Sequence, residues 1–458
     1  MLAIVCGAGL VGRSLVSYLV DHKFDVAVID NSARLIADLT AEYDVRAIVG
    51  HAAHPDDLER AGASDAQIIF AFTRSDEVNM IACQIAHSLY QIQTKIARVR
   101  SSAYTSHLMD ALFTDKHIPI DQVLAPEEEV AREMMRCILN PGVFSLGTMI
   151  DGRVAIAGIK CCAGSAVAMT ALRQLATLTG GIALRVLAIV REDGQIHYPT
   201  SRSVIMPGDD VFTVLDCQML PKVLQMFGHD DPAPIKHVVI VGTGLVGQAL
   251  AHELLESNVP TRLVMIEADQ EKALAAAERF PTATVLHGDA LSAPILAEAN
   301  IRKCDVAISV TSKDETNLFA CLLAKHGGAR RAVSIINSTN YLSLLGKLGI
   351  DVPIYPREVV ISSLLRSLRR NAVRDAHSLR DGFAEILDIE IVEGSSVPGQ
   401  KLGSMDFPDG VVAGLIMRAN KLIVATNKTI LEHRDRLILM ADRSAIAAIE
   451  RMFAADRF

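Results

Sequence analysis

Short apolar runs alternate with stretches of helical period along the first hundred residues. The runs are LAIV from Leu2, VAVI from Val26, AIV from Ala47, IIFAF from Ile68 and IARV from Ile96, and the stretches include GRSLVSYLVDH and VNMIACQIAHSLY. Runs of strand length that are apolar on both faces, separated by amphipathic helices, predict βαβ units and a doubly wound parallel sheet covered by helices. The rhythm returns in the second half through VVIV, LVMI, TVL, VAISV and VSII. In each half a Pro-started helix follows, APEEEVAREMMRCIL from Ala125 and YPREVVISSLLRSLRR from Tyr355, with proline at the position where its missing N–H costs nothing. Each half then ends in a smaller unit with runs such as VAIAGIKCCAGSAV, LRVLAIVRED and DDVFTVL, or AEILDIEIVEGSSV, VVAGLIMRAN and DRLILMA, closed by LPKVLQMFG or AIAAIERMF. That texture predicts an α+β module of strands with two helices.

The two halves are copies. Residues 2–12 read LAIVCGAGLVG and 237–247 read HVVIVGTGLVG, an offset of 235. Asp30 closes VAVID as Glu267 closes LVMIE, Gly50 opens GHA as Gly288 opens GDA, and Thr73 opens TRSDEVN as Thr311 opens TSKDETN. Length alone, at about 150 residues per domain, argues for three domains; the duplication argues for four. They are placed at 1–123 and 235–353 for the larger type and at 143–227 and 373–456 for the smaller, with the polar, Pro-rich GHDDPAP from Gly228 as linker. The helices beginning at Pro126 and Pro356 carry apolar stripes, Val130, Met134 and Ile138, then Val360, Leu364 and Leu368. Such stripes suit either the chain's own core or a symmetry mate.

Gly7, Gly9 and Gly12 follow the first strand and open a helix, as do Gly242, Gly244 and Gly247. In this Rossmann-like arrangement the first glycine permits a tight turn, the second lets the backbone approach a pyrophosphate, and the third lets helix pack on strand. Asp30 lies 18 residues past the last glycine and Glu267 lies 20 past it, each ending a second strand. A carboxylate there accepts a ribose 2′-OH and repels a 2′-phosphate, so NAD(H) rather than NADP(H) is the expected cofactor. Thr73 and Thr311, which follow the strands IIFAF and VAISV, are expected beside the dinucleotide. Arg98-Val99-Arg100 aligns with Ile335-Ile336-Asn337; alternate arginines at a strand end suit phosphates, so the first site is expected to be the better equipped for a second phosphate group, or for a nucleotide bridging subunits.

Composition narrows the function classes. Net charge is 45 − 53 = −8, which argues against a nucleic-acid partner. Apolar residues make up 50%, yet charge or Gly/Pro interrupts every run well short of the roughly 18 residues a spanning helix needs. The eight cysteines form no CxxC pair and the N-terminus has no signal-like pattern, so a cytosolic chain with reduced thiols is expected. No metal site is assigned to His51 and His54, which lack a partner cluster. A dehydrogenase would need a proton-transfer group near the nicotinamide; the small units offer no obvious set, with His197 and His433 at positions that do not correspond. No catalytic residue is therefore assigned. An NAD-dependent oxidoreductase with two dinucleotide-binding domains is the rival reading, and a redox-sensing repressor is disfavoured by the acidic balance and the lack of a helix-turn-helix signal.

The doubled glycine loops, the GHA and GDA turns, the TRSDEVN and TSKDETN segments and the appended small units together resemble the RCK or KTN family, regulators of potassium conductance, over essentially the whole chain. The resemblance implies two Rossmann-like domains each followed by a small α+β domain. It implies that Gly7, Ala8, Gly9, Leu10, Val11, Asp30, Thr73, Arg74 and Arg98 serve one nucleotide, to which the glycine spacing and the alternate arginines add Gly12 and Arg100. Gly242, Thr243, Gly244, Leu245, Val246 and Glu267 would serve a second, with Gly247, Asp289 and Thr311 as further candidates from the residues themselves; the second copy departs from the family pattern at Thr311-Ser312-Lys313 and at Ile335 to Asn337. The ligands implied are NAD(H) together with ATP or ADP. The implied role is regulatory rather than enzymatic: a homo-oligomer, expected to be a tetrameric ring, docked on the cytoplasmic face of the membrane against the potassium-translocating subunit of a Trk-type uptake system.

Overall fold

The structure, a computed structural model, describes residues 1–101, 104, 111–178, 180–191, 193–229, 234–257, 259, 261–338, 341, 348–368, 372–379, 382–392, 395 and 397–454. Residues 230–233 of the expected linker, and Arg369 and Arg370 of the second Pro-started segment, lie outside the described residues. The chain forms two compact units, Met1–Glu129 with Val359–Ser367, and Val130–Glu358 with Leu368–Phe458.

The first unit is built on a parallel sheet of β1 (Leu2–Cys6), β2 (Asp25–Asp30), β3 (Arg46–Val49), β4 (Ala66–Ala71), β5 (Thr94–Arg98) and β6 (Gln122–Leu124), in the order β3-β2-β1-β4-β5-β6. Ala3, Ile4, Val5 and Cys6 are wholly buried, as expected of a central strand covered on both faces. The order reverses between β1 and β4, which opens a crevice at their carboxyl ends. The helix Pro356–Leu368 supplies Val360 and Leu364 as buried residues, and the Ser363 carbonyl accepts from Gln122 Nε2 at 3.4 Å.

The second unit begins with an antiparallel sheet of β7 (Val143–Met149), β8 (Val154–Lys160), β9 (Leu184–Val190), β10 (Ile196–His197) and β11 (Asp210–Asp216), ordered β10-β9-β11-β8-β7. Next is a parallel sheet of β12 (His237–Val241), β13 (Arg262–Glu267), β14 (Thr284–His287), β15 (Val306–Ser309), β16 (Arg331–Ile335) and β17 (Val352–Ile354), ordered β14-β13-β12-β15-β16-β17. Last is β18 (Val373–Ser378), β19 (Ala384–Glu390), β20 (Val411–Arg418), β21 (Lys421–Val424) and β22 (Arg436–Asp442), ordered β18-β19-β22-β20-β21. Strand for strand the two halves have one topology, so the duplication read from the sequence is a duplication of fold.

The two small sheets share a core: Phe144, Leu187 and Val214 pack in one cluster with Ile386, Leu415 and Met440, and Phe212 meets Phe383 edge-on at 5.9 Å. The helix Pro126–Leu139 buries Val130, Met134 and Ile138. The Arg331 guanidinium donates to its last carbonyls, Cys137 and Ile138, at 2.8 Å each, which satisfies two of the acceptors a helix end leaves open. The Pro-started helices are therefore exchanged: from Val130 the first belongs with the second glycine-loop domain, and from Val359 the second belongs with the first. The described parts of both stripes are covered within one chain.

Three expectations need correction. Arg100 is not on the fifth strand, which ends at Arg98. The second small domain has a 3-10 turn, Leu402–Ser404, where the first has the helix Leu172–Leu178; Gly403 and Pro408 leave too short a helix-compatible run there. Arg374, which with Arg366, Arg369 and Arg370 reads in the sequence as a cluster on the second Pro-started helix, lies instead on β18 and pairs with Glu390. Among the described residues no helix is long and apolar enough to cross a membrane.

Candidate functional site

In the first unit the carboxyl ends of β1, β2 and β4 converge. Gly7 sits at φ +109°, its N–H donates to the Ile29 carbonyl at 2.8 Å, and a Cβ on it would lie 2.7 Å from the Phe72 carbonyl oxygen. Only glycine satisfies that backbone. A Cβ on Gly12 would fall 1.8 Å from the Gly7 carbonyl oxygen, so the loop closes directly onto the helix Leu10–Asp21. Gly9 differs: its backbone is ordinary and extended, at φ −69° and ψ −173°, and a Cβ there would meet nothing within 4 Å. Nothing in the fold requires glycine at that position. The helix has no side-chain cap at Gly9, whereas the neighbouring helices Ala33–Thr40 and Asp76–Tyr90 are capped by Ser32 and Ser75. Open N–H groups at a helix start, with no side chain in front of them, are an anion-binding arrangement.

Asp30 Oδ2 accepts the Ala8 N–H at 2.7 Å and Oδ1 accepts the Ser32 N–H at 2.8 Å. A carboxylate offers about four acceptor positions, so two remain for a diol. Thr73 stands against the loop through Phe72, whose N–H donates to the Cys6 carbonyl at 2.7 Å. Arg74, beside it, is exposed. The two arginines expected to take phosphate are already engaged. Arg98 Nη2 lies 2.5 Å from Glu127 Oε1, while Arg100 Nε is 3.6 Å from Asp76 Oδ1 and its N–H donates to Asp76 Oδ2 at 2.9 Å. A phosphate at Arg98 would have to replace a carboxylate already paired with it.

The second copy repeats the arrangement with one alteration. Gly242 is at φ +101°, a Cβ on Gly247 would lie 2.1 Å from the Gly242 carbonyl oxygen, and one on Gly244 would again meet nothing. The helix Leu245–Glu256 is likewise uncapped at Gly244. Glu267, however, is fully occupied. Oε2 accepts the Thr243 N–H at 2.9 Å and its hydroxyl at 2.7 Å, and Oε1 accepts the N–H groups of Ala268 and Asp269 at 3.0 and 3.1 Å. Burial opposes its ionisation, but the Thr243 hydroxyl and the surrounding N–H groups outweigh that and hold its carboxyl below the ordinary range. Thr311 adjoins Gly242, with Cγ2 3.2 Å from the position of a Cβ there. Asp289 is exposed and accepts the Leu291 N–H at 2.9 Å in the turn after β14. Leu245 is half exposed and Val246 partly buried in the first turn of their helix.

Two residues were missed in the sequence. Asn79 is wholly buried; its Oδ1 accepts the Thr73 N–H and hydroxyl at 2.8 and 2.7 Å, and its Nδ2 donates to the carbonyls of Thr73 and Arg98 at 3.3 and 2.9 Å. Asn317 does the same with Thr311 and the Ile335 carbonyl. Each amide ties together the carboxyl ends of two neighbouring strands. The signal was present, since asparagine stands second after the acidic pair in both DEVN and DETN. The shared contact also supports the alignment of Arg98 with Ile335. In the second copy Asn337 stands where Arg100 does and partners Asp314, through its N–H at 3.0 Å and Nδ2 at 2.9 Å, as Arg100 partners Asp76 in the first.

The arrangement can hold an anion at the helix start and hydroxyls at the carboxylate, and those two features fit a dinucleotide. Proton-transfer chemistry has less support, as His197 and His433 are both exposed. His51 and His54 lie with ring centroids 4.6 Å apart, and among the described residues no group of three or more His, Cys, Asp or Glu side chains could hold a metal ion.

Comparison with known proteins fits this geometry. The TrkA-N domain model matches residues 3–124 and 238–356, the two glycine-loop domains, and the TrkA-C domain model matches 386–454. The Trk system potassium uptake protein TrkA of Azorhizobium caulinodans is 36% identical over 453 residues, covering 99% of this chain and 98% of that protein. The protein of the same name from Haemophilus influenzae is 33% identical, with all of both chains covered. Among solved structures, the GsuK RCK domain superposes with a TM-score of 0.62 at 18% identity, covering 98% of this chain and 94% of that one; the GsuK channel bound to NAD gives 0.61 at 18%, covering 98% and 78%. These superpositions establish the RCK fold. With both glycine-loop domains matched and relatives above 30% identical along the whole length, the chain belongs to the TrkA family.

Proposed function

We propose that this chain is the nucleotide-binding regulatory subunit of a potassium-uptake system, controlling a separate potassium-translocating membrane protein from its cytoplasmic face. The observation that carries the reading is the pair of uncapped helix starts behind Gly9 and Gly244, each beside a carboxylate, Asp30 or Glu267. The potassium link rests on relatives named potassium uptake proteins. The Rossmann-like domains are assigned as 1–123 and 235–353, and the small domains as 143–227 and 373–456. NAD(H) is the primary ligand, with ATP or ADP as a second class, and the working form is a homotetrameric ring.

When bound, the nucleotide contributes negative charge and a fixed span between the strand ends. The N–H groups behind Gly9 take its phosphate, Asp30 takes the ribose diol with its two remaining acceptor positions, and Thr73 and Arg74 border the other half of the crevice. Arg98 is the residue through which a further phosphate would be felt, because taking it up releases Glu127 at the start of the exchanged helix. A ligand transmits a signal only if it binds two states of the ring with different affinity. The reading is regulatory and not oxidoreductive: relatives named potassium uptake proteins support it, and His197 and His433, the candidates for moving a proton, are exposed in the small domains.

Two experiments test this. Potassium flux through the membrane partner, measured while nucleotide is varied, should depend on both this protein and the nucleotide; flux indifferent to either contradicts the role. Asp30→Ala should weaken NADH by about tenfold, the value of a charge-assisted hydrogen bond, and narrow the preference for NADH over NADPH. Unchanged titrations of both would assign Asp30 to the loop structure alone.

A further inference from the structure

The two loops differ at their second residue, Ala8 in GAG and Thr243 in GTG. Thr243 is buried, 1% exposed, and its position is fixed from both sides. Its carbonyl accepts from Gln248 Nε2 at 2.8 Å, and its N–H and hydroxyl both reach Glu267 Oε2. With Ala268 and Asp269 on Oε1, four donors from the chain meet one carboxylate, which has room for about four. Asp30 receives two such donors, at 2.7 and 2.8 Å: Ala8 has no hydroxyl to add, and Asp30 Oδ1 takes one N–H where Glu267 Oε1 takes two. A ribose approaching Asp30 therefore finds vacant acceptor positions, whereas one approaching Glu267 has to displace a hydroxyl that is already bonded.

We infer that Thr243 is a specificity-determining residue of the second site: its hydroxyl occupies the acceptor position on Glu267 that a ribose hydroxyl would take, and so makes the second site the weaker of the two for NAD(H). The inference rests on reading the loops as nucleotide sites. The two copies differ here both in the loop residue and in the carboxylate, Ala8 with Asp30 against Thr243 with Glu267. The Thr243 N–H would remain on Glu267 in any variant, as the Ala8 N–H does on Asp30, so the hydroxyl alone is the latch.

The test uses the full chain with Gly9→Ala, so that the second site is read alone, and titrates NADH against Thr243, Thr243→Val and Thr243→Ser. Valine matches threonine in shape without the hydroxyl, and serine keeps the hydroxyl. Thr243→Val should tighten NADH by about tenfold, one charge-assisted hydrogen bond no longer having to be displaced, with Thr243→Ser within about twofold of the parent. Equal affinity for all three, or weaker binding in Thr243→Val, overturns the latch. No NADH binding by any of the three would instead overturn the reading of the second loop as a nucleotide site, and the latch with it.

Discussion

Gly9→Ala should leave the melting temperature of the chain within about a degree or two and remove NADH from the first site, whereas Gly12→Ala should destabilise the first unit by about 3 kcal/mol or more. The glycines are three residues apart and have opposite reasons to be glycine. At Gly12 a methyl would lie 1.8 Å from the Gly7 carbonyl oxygen; that oxygen is backbone and cannot swing away, so strand and helix must separate, a cost at the upper end of what overpacking produces. At Gly9 the backbone is extended and the space in front is open, so alanine fits the free protein and even reduces the entropy of its unfolded chain slightly. The methyl would then occupy the approach of a phosphate to the uncapped helix start. Thermal unfolding and an NADH titration on both variants separate the two effects; a Gly9→Ala chain that binds NADH as the parent does would show that the open approach is not used.

The second large effect is expected far from either loop. Asp388 on β19 is wholly buried and is held by Arg436 of β22, through Nε at 3.2 Å and through Nη2. Arg436→Ala leaves a buried carboxylate without its cation and should cost about 3–5 kcal/mol, while Asp388→Leu with Arg436→Met should be close to neutral. Burial pushes the Asp388 carboxyl up, against the pull of Arg436. A carboxyl raised in the folded state favours folding below its unfolded pKa and loses that contribution as pH rises through the folded value. The deficit of Arg436→Ala relative to the parent should therefore be largest near neutral pH and shrink as pH is lowered, readable by denaturant melts at each pH. A deficit that grows on acidification would mean that the carboxyl is not the source of the loss.

Much of this architecture was legible because it is local. The glycine spacing, the apolar strands ending at Asp30 and Glu267, and the Pro-started helices are set by residues close in sequence, and their repetition made each more specific than a single copy would be. The exchange of those helices was not legible. Val130, Met134 and Ile138 announce an apolar face, but which glycine-loop domain covers it is decided by the length of the connections and by partners such as Arg331 almost two hundred residues away. Arg98 and Arg100 looked like free cations for the same reason: the sequence places them at a strand end, and only folding brings Glu127 and Asp76 against them. Asn79 and Thr243 act through buried hydrogen bonds that leave no periodic trace, although comparison of the two copies shows the first retained and the second changed.

The claim on which the account depends is that both glycine loops are nucleotide sites, and an NADH titration of the full chain beside the Gly9→Ala, Gly244→Ala double variant tests it most directly. The parent should bind NADH at two sites of unequal affinity, and the double variant, folded to the same melting temperature, should bind none. NADH binding undiminished in the double variant, or absent from the parent, would contradict it.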